Sequence, residues 1–287
     1  MKIFKFGGAS IKDAEGVKNV ASIIKNEGAK DTLVVISAMG KITNAFEEVV
    51  DAYFTKSDDL PNKLTFIEEY HKNIMSSLFD KEDDVYRDVD ILFGELGWFL
   101  ARNASQRYNY VYDQIICFGE LLSTRIVSAY LSKIGTENSW FDVRNYIKTD
   151  SNYRDAKVDW ELTEAIITKK VDATKINITQ GFIAANDTEN TTTLGREGSD
   201  YTAGIFAYCL DAESVTIWKD VEGVLNADPR VFTDTTLLAQ ISYEEAIEMA
   251  FYGASVIHPK TLQPLQKKEI PLLVRSFLNP KETGTKV

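Results

Sequence analysis

Lys5, Gly7, Gly8 and Ser10 fall within six residues, in the stretch Lys5-Phe6-Gly7-Gly8-Ala9-Ser10 that closes a short apolar and basic segment. The order predicts a strand, a tight turn and a helix start. Glycines let a ligand approach the backbone closely. A helix N-terminus offers unpaired N–H groups to an anion, and a lysine adds a point charge suited to phosphate. The chemistry such a set could serve is phosphate binding or phosphoryl transfer. The stretch is neither a Walker A loop, because the lysine precedes the glycines, nor a GxGxxG turn. Taken alone it reads equally as a tight turn carrying a surface lysine.

Three further segments hold residues that could act with it. Gly195-Arg196-Glu197-Gly198-Ser199-Asp200 is a second glycine-rich turn opening a helix, so two such turns could cradle a polyphosphate from opposite sides. Arg196 there suits bidentate recognition of a carboxylate or phosphate. Ser199 or Asp200 is either the cap of that helix or, for Asp200, a functional carboxylate. Lys219-Asp220-Val221-Glu222-Gly223-Val224 follows a strand ending at Trp218, and ligands of open α/β sheets sit beyond the carboxyl ends of strands. The same loop reads alternatively as a solvated connection. Glu120 lies in the otherwise apolar run Phe118–Ser123 and needs a cationic partner, because a lone buried charge is costly. A structural arginine such as Arg125 is one such partner and a substrate ammonium is another.

The elements that must position these residues alternate strand and helix. Asp13 is placed to cap a helix carrying Val17, Val20, Ala21 and Ile24, which Gly28 ends. Thr32 to Ser37 reads as a strand buried on both faces, and this βαβ order predicts a parallel sheet. From about residue 43 to about 135, four or five apolar stripes at helical spacing predict a helical insertion. Strands are predicted again over Ser139–Val143, Lys175–Ala184 and Val215–Trp218. A hairpin loop is predicted at Ala185–Thr193, a helix over Glu244–Phe251, and a last strand over Leu272–Val274.

The bulk numbers narrow the function classes. The 287 residues, 44% of them hydrophobic, suffice for one large domain or two smaller ones. A net charge of −11 gives no basic face for nucleic acid. Cys117 and Cys209 are far apart and lack metal-ligand spacing, which fits a reducing compartment. The two histidines, His71 and His258, form no metal-spaced cluster, and His258 before Pro259 reads as a packing or capping residue. No signal peptide is visible. The longest apolar stretch, near Leu33–Met39, is far shorter than the roughly 20 residues of a membrane span, so a soluble cytoplasmic protein is expected.

Together the motifs resemble the aspartate kinases. Lys5-Phe6-Gly7-Gly8-Ala9-Ser10 is similar to that family's KFGGTS signature, with Ala9 in place of threonine. Val35–Asn44, Phe118–Ser123, Trp140–Arg144, Thr179–Phe182, Thr192–Arg196, Gly198–Ala203, Asp228-Pro229-Arg230 and His258-Pro259 follow in the family's order, so the likeness spans the chain. It implies the α/β amino-acid kinase fold, a three-layer αβα sandwich with a mainly parallel central sheet and a helical insertion. One kinase domain over residues 1–287 would have an N-terminal lobe of about 1–195 holding L-aspartate and a C-terminal lobe of about 196–287 holding ATP. By the resemblance Ser37, Thr43, Glu120, Phe182 and Arg196 bind aspartate, with Glu120 on the α-ammonium and Arg196 on a carboxylate. Lys5 and Asp200 are the catalytic pair. Lys5, Gly7, Gly8, Ser10, Lys219, Asp220, Leu225, Arg230, Ser255 and Val256 meet the nucleotide. The cofactors implied are ATP and Mg²⁺, the latter on the ATP phosphates and not on a protein metal site. The partners are L-aspartate and MgATP, with room for a homodimer and no nucleic acid or membrane.

The chain departs from the family at two of these positions. Ser255 stands where members often have lysine, and Leu225 where many have an aromatic residue. Members usually carry two small ACT modules after the kinase domain, and the sequence stops where that domain would end. The implied reaction is transfer of the γ-phosphoryl of ATP to the β-carboxylate of L-aspartate, opening lysine, threonine and methionine biosynthesis. The acceptor carboxylate, with a pKa near ~3.9, is already ionised at neutral pH, so no histidine base is expected. Competing readings are another amino-acid kinase, acting on glutamate, acetylglutamate, carbamate or a nucleotide monophosphate, and a non-catalytic sensor of ATP and amino acid. A dinucleotide-dependent dehydrogenase ranks last for want of GxGxxG.

Overall fold

Strand β1 (Lys2–Phe6) has a parallel neighbour on each side, β2 (Thr32–Ile36) and β7 (Ser214–Lys219). The run Thr-Leu-Val-Val-Ile is buried at every position of β2, as a strand covered on both faces requires. The computed structural model describes residues 1–28, 30–228, 231–253 and 257–287. The remaining strands are β3 (Asn138–Trp140), β4 (Ile176–Gln180), β5 (Ile183–Ala185), β6 (Thr191–Thr193), β8 (Leu272–Ser276) and β9 (Thr285–Lys286). A seven-stranded sheet runs β3-β4-β2-β1-β7-β8-β9, parallel throughout except at β8–β9, and β5–β6 form a separate antiparallel hairpin. The order of strands reverses at β1, with β2, β4 and β3 on one side and β7, β8 and β9 on the other. Such a switch point opens a crevice beyond the carboxyl ends of the strands it separates.

Helices flank the sheet. They are α1 (Ala14–Glu27), α2 (Ile42–Thr55), α3 (Leu60–Ser76), α4 (Val85–Arg102), α5 (Tyr108–Ile116), α6 (Phe118–Lys133), α7 (Trp160–Lys170), α8 (Gly198–Cys209), α9 (Tyr243–Phe251) and α10 (Pro259–Lys267). One layer has α6 against β2, β3 and β4, packed with α1 and α4; in the other α8 lies against β1, β2 and β7, packed with α7 and α10. The expected helical insertion is α2 to α6. The stretch Tyr108–Lys133, which contains α5 and α6, is apolar enough to cross a membrane by length and composition, but most of it is packed inside the fold, where it serves as core.

Local signals account for several boundaries. Asp13 caps α1 by accepting from the Gly16 N–H, and Gly28 ends it. The His258 ring accepts from the Lys260 N–H, so His258 is the cap of α10. Cys117 and Cys209 are buried free thiols, both pushed up to about 12 by burial.

Four expectations are corrected. The strand expected over Lys175–Ala184 is two strands, because Phe182 takes a left-handed φ of 69° that ends the sheet pairing. The strand expected over Ser139–Val143 stops at Trp140, and a 3₁₀ turn follows at Val143–Asn145. The last strand is β9, which returns antiparallel along β8. Neither Ser199 nor Asp200 caps α8: the N-cap is Glu197, with φ 54° and no side-chain cap bond. The carboxylate of Asp200 is committed elsewhere.

Candidate functional site

The crevice at the switch point collects residues from four parallel strand ends. Lys5 lies on β1, Ser37 follows β2, Phe182 follows β4 and Lys219 ends β7. The Lys5 ammonium, almost wholly buried, reaches across to Asp200 in the first turn of α8 at 2.7 Å from Oδ1. Lys219 Nζ stands 3.9 Å from the other oxygen, Oδ2. Asp200 is 1% exposed, and a carboxylate so enclosed is tolerable only because it is paired and lies at the positive end of a helix. The strand-end lysine that the sequence offered as a surface group is thus fixed in place by a specific partner.

Beside this pair is a cavity of about 570 Å³. Its walls include Lys5, Ser37, Thr43, Glu120, Phe182 and Arg196, so one space gathers all of the side chains expected to meet aspartate. Thr43 stands in the first turn of α2 and Glu120 in the first turn of α6. Glu120 Oε1 accepts from the Ala38 N–H at 3.3 Å, while buried Oε2 has no hydrogen-bond partner among the described residues. Burial pushes its carboxyl up to about 8, against a weaker downward pull from backbone N–H donors. Arg125, the structural partner that the sequence offered, instead stacks its guanidinium 3.5 Å above the Trp140 ring. Glu120 therefore presents an unsatisfied oxygen, and among the described residues no cation forms an ion pair with it. Arg196 is exposed at the cavity wall and forms no ion pair among the described residues.

Backbone geometry supports these side chains. A Cβ on Gly181 would lie 2.5 Å from the Ser199 Cβ, so only glycine lets the end of β4 meet the start of α8. The next residue, Phe182, holds its left-handed turn with an N–H bond to Thr202 Oγ1 at 3.0 Å. An aromatic residue in that region is strained by about 1–3 kcal/mol, a cost usually met at functional sites. Gly8 packs its α-carbon against the loop after β2: an added Cβ would lie 2.6 Å from the carbonyl oxygens of both Ala38 and Gly40.

The residues expected at the nucleotide are less gathered. Gly7 N-caps the 3₁₀ turn Gly8–Ile11, and Ser10 spends its hydroxyl on the Gly7 carbonyl at 2.6 Å. Lys219 is half-buried beside Asp200, whereas Asp220 is exposed one residue further on. Leu225 is half-buried and bridges to Leu237. None of Gly7, Gly8, Ser10, Lys219, Asp220 and Leu225 lines the main cavity. Arg230, Ser255 and Val256 lie outside the described residues. A smaller cavity of about 230 Å³ shares Arg196 and Glu197 with the first and is walled by Ala250, Gly253, Ile257, His258 and Pro259.

Asn44, Tyr112, Arg154, Thr193 and Ser199 also line the main cavity and were assigned no binding role from the sequence. Asn44, Thr193 and Ser199 belong to motif segments whose neighbours were singled out. Tyr112 and Arg154 carry no local signal, since they reach the site only through the packing of the insertion and of the loop before α7. Among the described residues no group of three His, Cys, Asp or Glu is placed to hold a metal ion. A cation that arrives on polyphosphate oxygens needs only one or two carboxylates, and Asp200, in the first turn of α8, is of the right chemistry.

The sequence and fold have close counterparts. The model described as "Amino acid kinase family" matches residues 1–276. Over 99% of its length the chain is 34% identical to the chloroplastic bifunctional aspartokinase/homoserine dehydrogenase 2 of Arabidopsis thaliana, covering 32% of that protein. It is 33% identical, again over 99% of its length, to lysine-sensitive aspartokinase 3 of Escherichia coli (strain K12), covering 63% of it. The crystal structure of E. coli aspartokinase III in complex with aspartate and ADP superposes with a TM-score of 0.92 at 31% identity, covering all of this chain and 64% of that one. The chain thus spans between about a third and two thirds of the length of these relatives.

Proposed function

We propose, for a chain that belongs to the amino acid kinase family, that it transfers the γ-phosphoryl group of ATP to the β-carboxylate of L-aspartate. The observation that carries this reading is Glu120, a buried carboxylate with an orphaned oxygen, sharing one cavity with Arg196 and Lys5. A free amino acid with an acidic side chain complements that set: its ammonium meets Glu120, its α-carboxylate meets Arg196, and its β-carboxylate points toward Lys5. Aspartate and ADP bound to the E. coli relative support the same assignment. In this reading the lobe of about residues 1–195 holds aspartate, and that of about 196–287 holds the nucleotide.

The acceptor oxygen is already anionic, so no residue has to remove a proton. One β-carboxylate oxygen bonds to the γ-phosphorus as the bond to the β,γ-bridging oxygen breaks, giving 4-phospho-L-aspartate and ADP. Catalysis then rests on alignment and on stabilising the charge spread over the phosphoryl oxygens. Lys5 supplies a fixed positive charge at that point, and Asp200 holds the lysine by its ion pair. Gly7, Gly8 and Ser10 shape the turn along which the phosphates lie. Lys219, Asp220, Leu225, Arg230, Ser255 and Val256 are proposed on the nucleotide. Mg²⁺ carried on the nucleotide would neutralise phosphate charge, and Asp200, the carboxylate paired with Lys5, would be the residue to hold it. The buried course of α5 and α6 supports a soluble enzyme, and two free cysteines suit the reducing cytoplasm.

The test is incubation with MgATP, L-aspartate and hydroxylamine, which converts an acyl phosphate to a coloured hydroxamate. Aspartate-dependent hydroxamate is expected. ADP release with glutamate or another acceptor in place of aspartate, and no hydroxamate from aspartate, would overturn the reading.

A further inference from the structure

Arg154 stands at the wall of the main cavity with Glu120, Arg196 and Lys5. Its backbone is left-handed, φ 72°, a conformation that costs a side-chain-bearing residue energy and that glycine adopts freely. Two features hold it there. The Arg154 N–H donates to Asp113 Oδ2 at 3.0 Å, and the fully buried Asp113 carboxylate also accepts the Thr193 N–H and hydroxyl, each at 2.9 Å. The guanidinium lies 4.3 Å from the centre of the Tyr112 ring, and the Tyr112 hydroxyl is itself tied to Glu47 at 2.8 Å. Arg154 forms no ion pair among the described residues, although the chain carries an excess of acidic groups. A strained, pre-oriented and unspent guanidinium facing a cavity is arranged to receive an anion.

The charges in the cavity suggest which anion. Lys5 is taken by Asp200 and marks the phosphoryl end. Arg154 belongs to the part of the wall where α5, the residue 154 loop and β6 meet at Asp113. Glu120 and Arg196 account for an ammonium and one carboxylate contact. Arg154 is a second guanidinium lining this cavity, and with Lys5 committed to Asp200 it is available to the carboxylate that does not react. We propose that Arg154 is a specificity-determining residue, which binds the α-carboxylate of the acceptor amino acid together with Arg196. The inference rests on the aspartate reading and deepens it, because it makes a free α-carboxylate a requirement for tight acceptor binding.

The test compares L-aspartate with L-aspartic acid α-amide, which keeps the β-carboxylate and the ammonium but lacks the α-carboxylate charge. Wild-type protein, Arg154→Gly and Arg154→Lys are assayed with both acceptors. Glycine relieves the left-handed strain, so Arg154→Gly folds at least as well as wild type. Arg154→Lys keeps the charge and the original backbone demand but loses the planar fork. Loss of one charge-assisted contact at a partly exposed site predicts an aspartate KM raised about 10-fold in Arg154→Gly, with kcat changed less. The α-amide kcat/KM should move less than twofold, so that the preference for aspartate narrows, and Arg154→Lys should fall between. Equal losses for both acceptors, or an unchanged aspartate KM, would overturn the proposal by reducing Arg154 to a wall residue. Failure of wild-type protein to phosphorylate aspartate would instead overturn the underlying reading, and the two failures are distinct.

Discussion

Lys5 and Asp200 are joined at 2.7 Å across the junction of the first strand and the first turn of α8. With the lysine side chain 10% exposed and the aspartate side chain fully buried, the pair ties together the two halves of the chain at the site. Removing one member leaves the other enclosed without its main partner, although Lys219 remains 3.9 Å from Asp200. Breaking a buried pair costs about 3–5 kcal/mol when nothing replaces it. Lys5→Ala should therefore lose stability as well as turnover, by about 2–4 kcal/mol in chemical denaturation and at least 10²-fold in kcat. The double variant Lys5→Ala/Asp200→Asn should recover most of the stability and none of the turnover. Recovery of kcat in the double variant would remove Lys5 from the chemistry.

Glu120 makes stability fall with rising pH. Its carboxyl is raised from 4.5 to about 8 by burial. Below about pH 4.5 the group is protonated in both folded and unfolded states and its favourable contribution is complete. Between there and about pH 8 the folded protein keeps a proton that the unfolded chain releases, so stability declines by at most roughly 1.4 kcal/mol per pH unit. Glu120→Gln should abolish that share of the slope. Denaturant titrations at pH 5, 7 and 9 on both proteins measure it as a difference, which separates it from Asp113, itself raised to about 6 by burial. A constant difference across the three pH values would contradict the assignment.

Acceptor binding should expel a proton. At pH 7 the empty cavity holds Glu120 mainly protonated, and an ammonium placed against it favours the carboxylate. Titration calorimetry with L-aspartate at pH 7 in two buffers of different ionisation enthalpy should report release of up to about one proton per site. The release should vanish in Glu120→Gln, whose aspartate KM should also rise. Identical heats in the two buffers would leave Glu120 protonated in the complex, as a neutral hydrogen-bond donor.

Gly8 is constrained by its own backbone neighbours. Any Cβ there meets two carbonyl oxygens at 2.6 Å, atoms that cannot rotate away. Gly8→Ala should destabilise by about 1–3 kcal/mol even without nucleotide, as measured by thermal unfolding of the free protein. An effect confined to ATP KM would place the contact on the phosphates instead.

The part of the candidate site proposed for aspartate was more legible in the sequence than the part proposed for the nucleotide. Lys5, Glu120 and Arg196 are each anomalous where they stand: a lysine entering a glycine turn, an acid in an apolar helix, and an arginine among glycines. Each anomaly marked a residue that one cavity brings together. Of the two partners open to Glu120, Arg125 is ruled out, because the helix turns that residue away to stack on Trp140. Asp200 was open between cap and functional group, because both uses place an acid in the first turn of a helix. The ion pair with Lys5, from the opposite end of the chain, and Glu197 as the N-cap take Asp200 out of the capping role. Arg154 was invisible for a related reason: its backbone conformation and its Tyr112 platform arise only when the insertion packs against β6. The break at Phe182 was hidden by the strongly strand-like composition on both sides.

The central position of β1 has a kinetic side. Its residues 2–6 pair with residues 32–36 on one edge and with residues 214–218 on the other, partners more than two hundred positions away in the second case. On a growing polypeptide the strand would wait half-zipped, with one row of amides and carbonyls exposed, while the whole helical insertion condenses beside it. Pairings so distant slow folding and leave a sheet edge open to wrong partners. Lys5, on that same strand, keeps a charge at the open edge until β7 and Asp200 arrive, and a charged edge is one of the means by which unfinished sheets resist self-association.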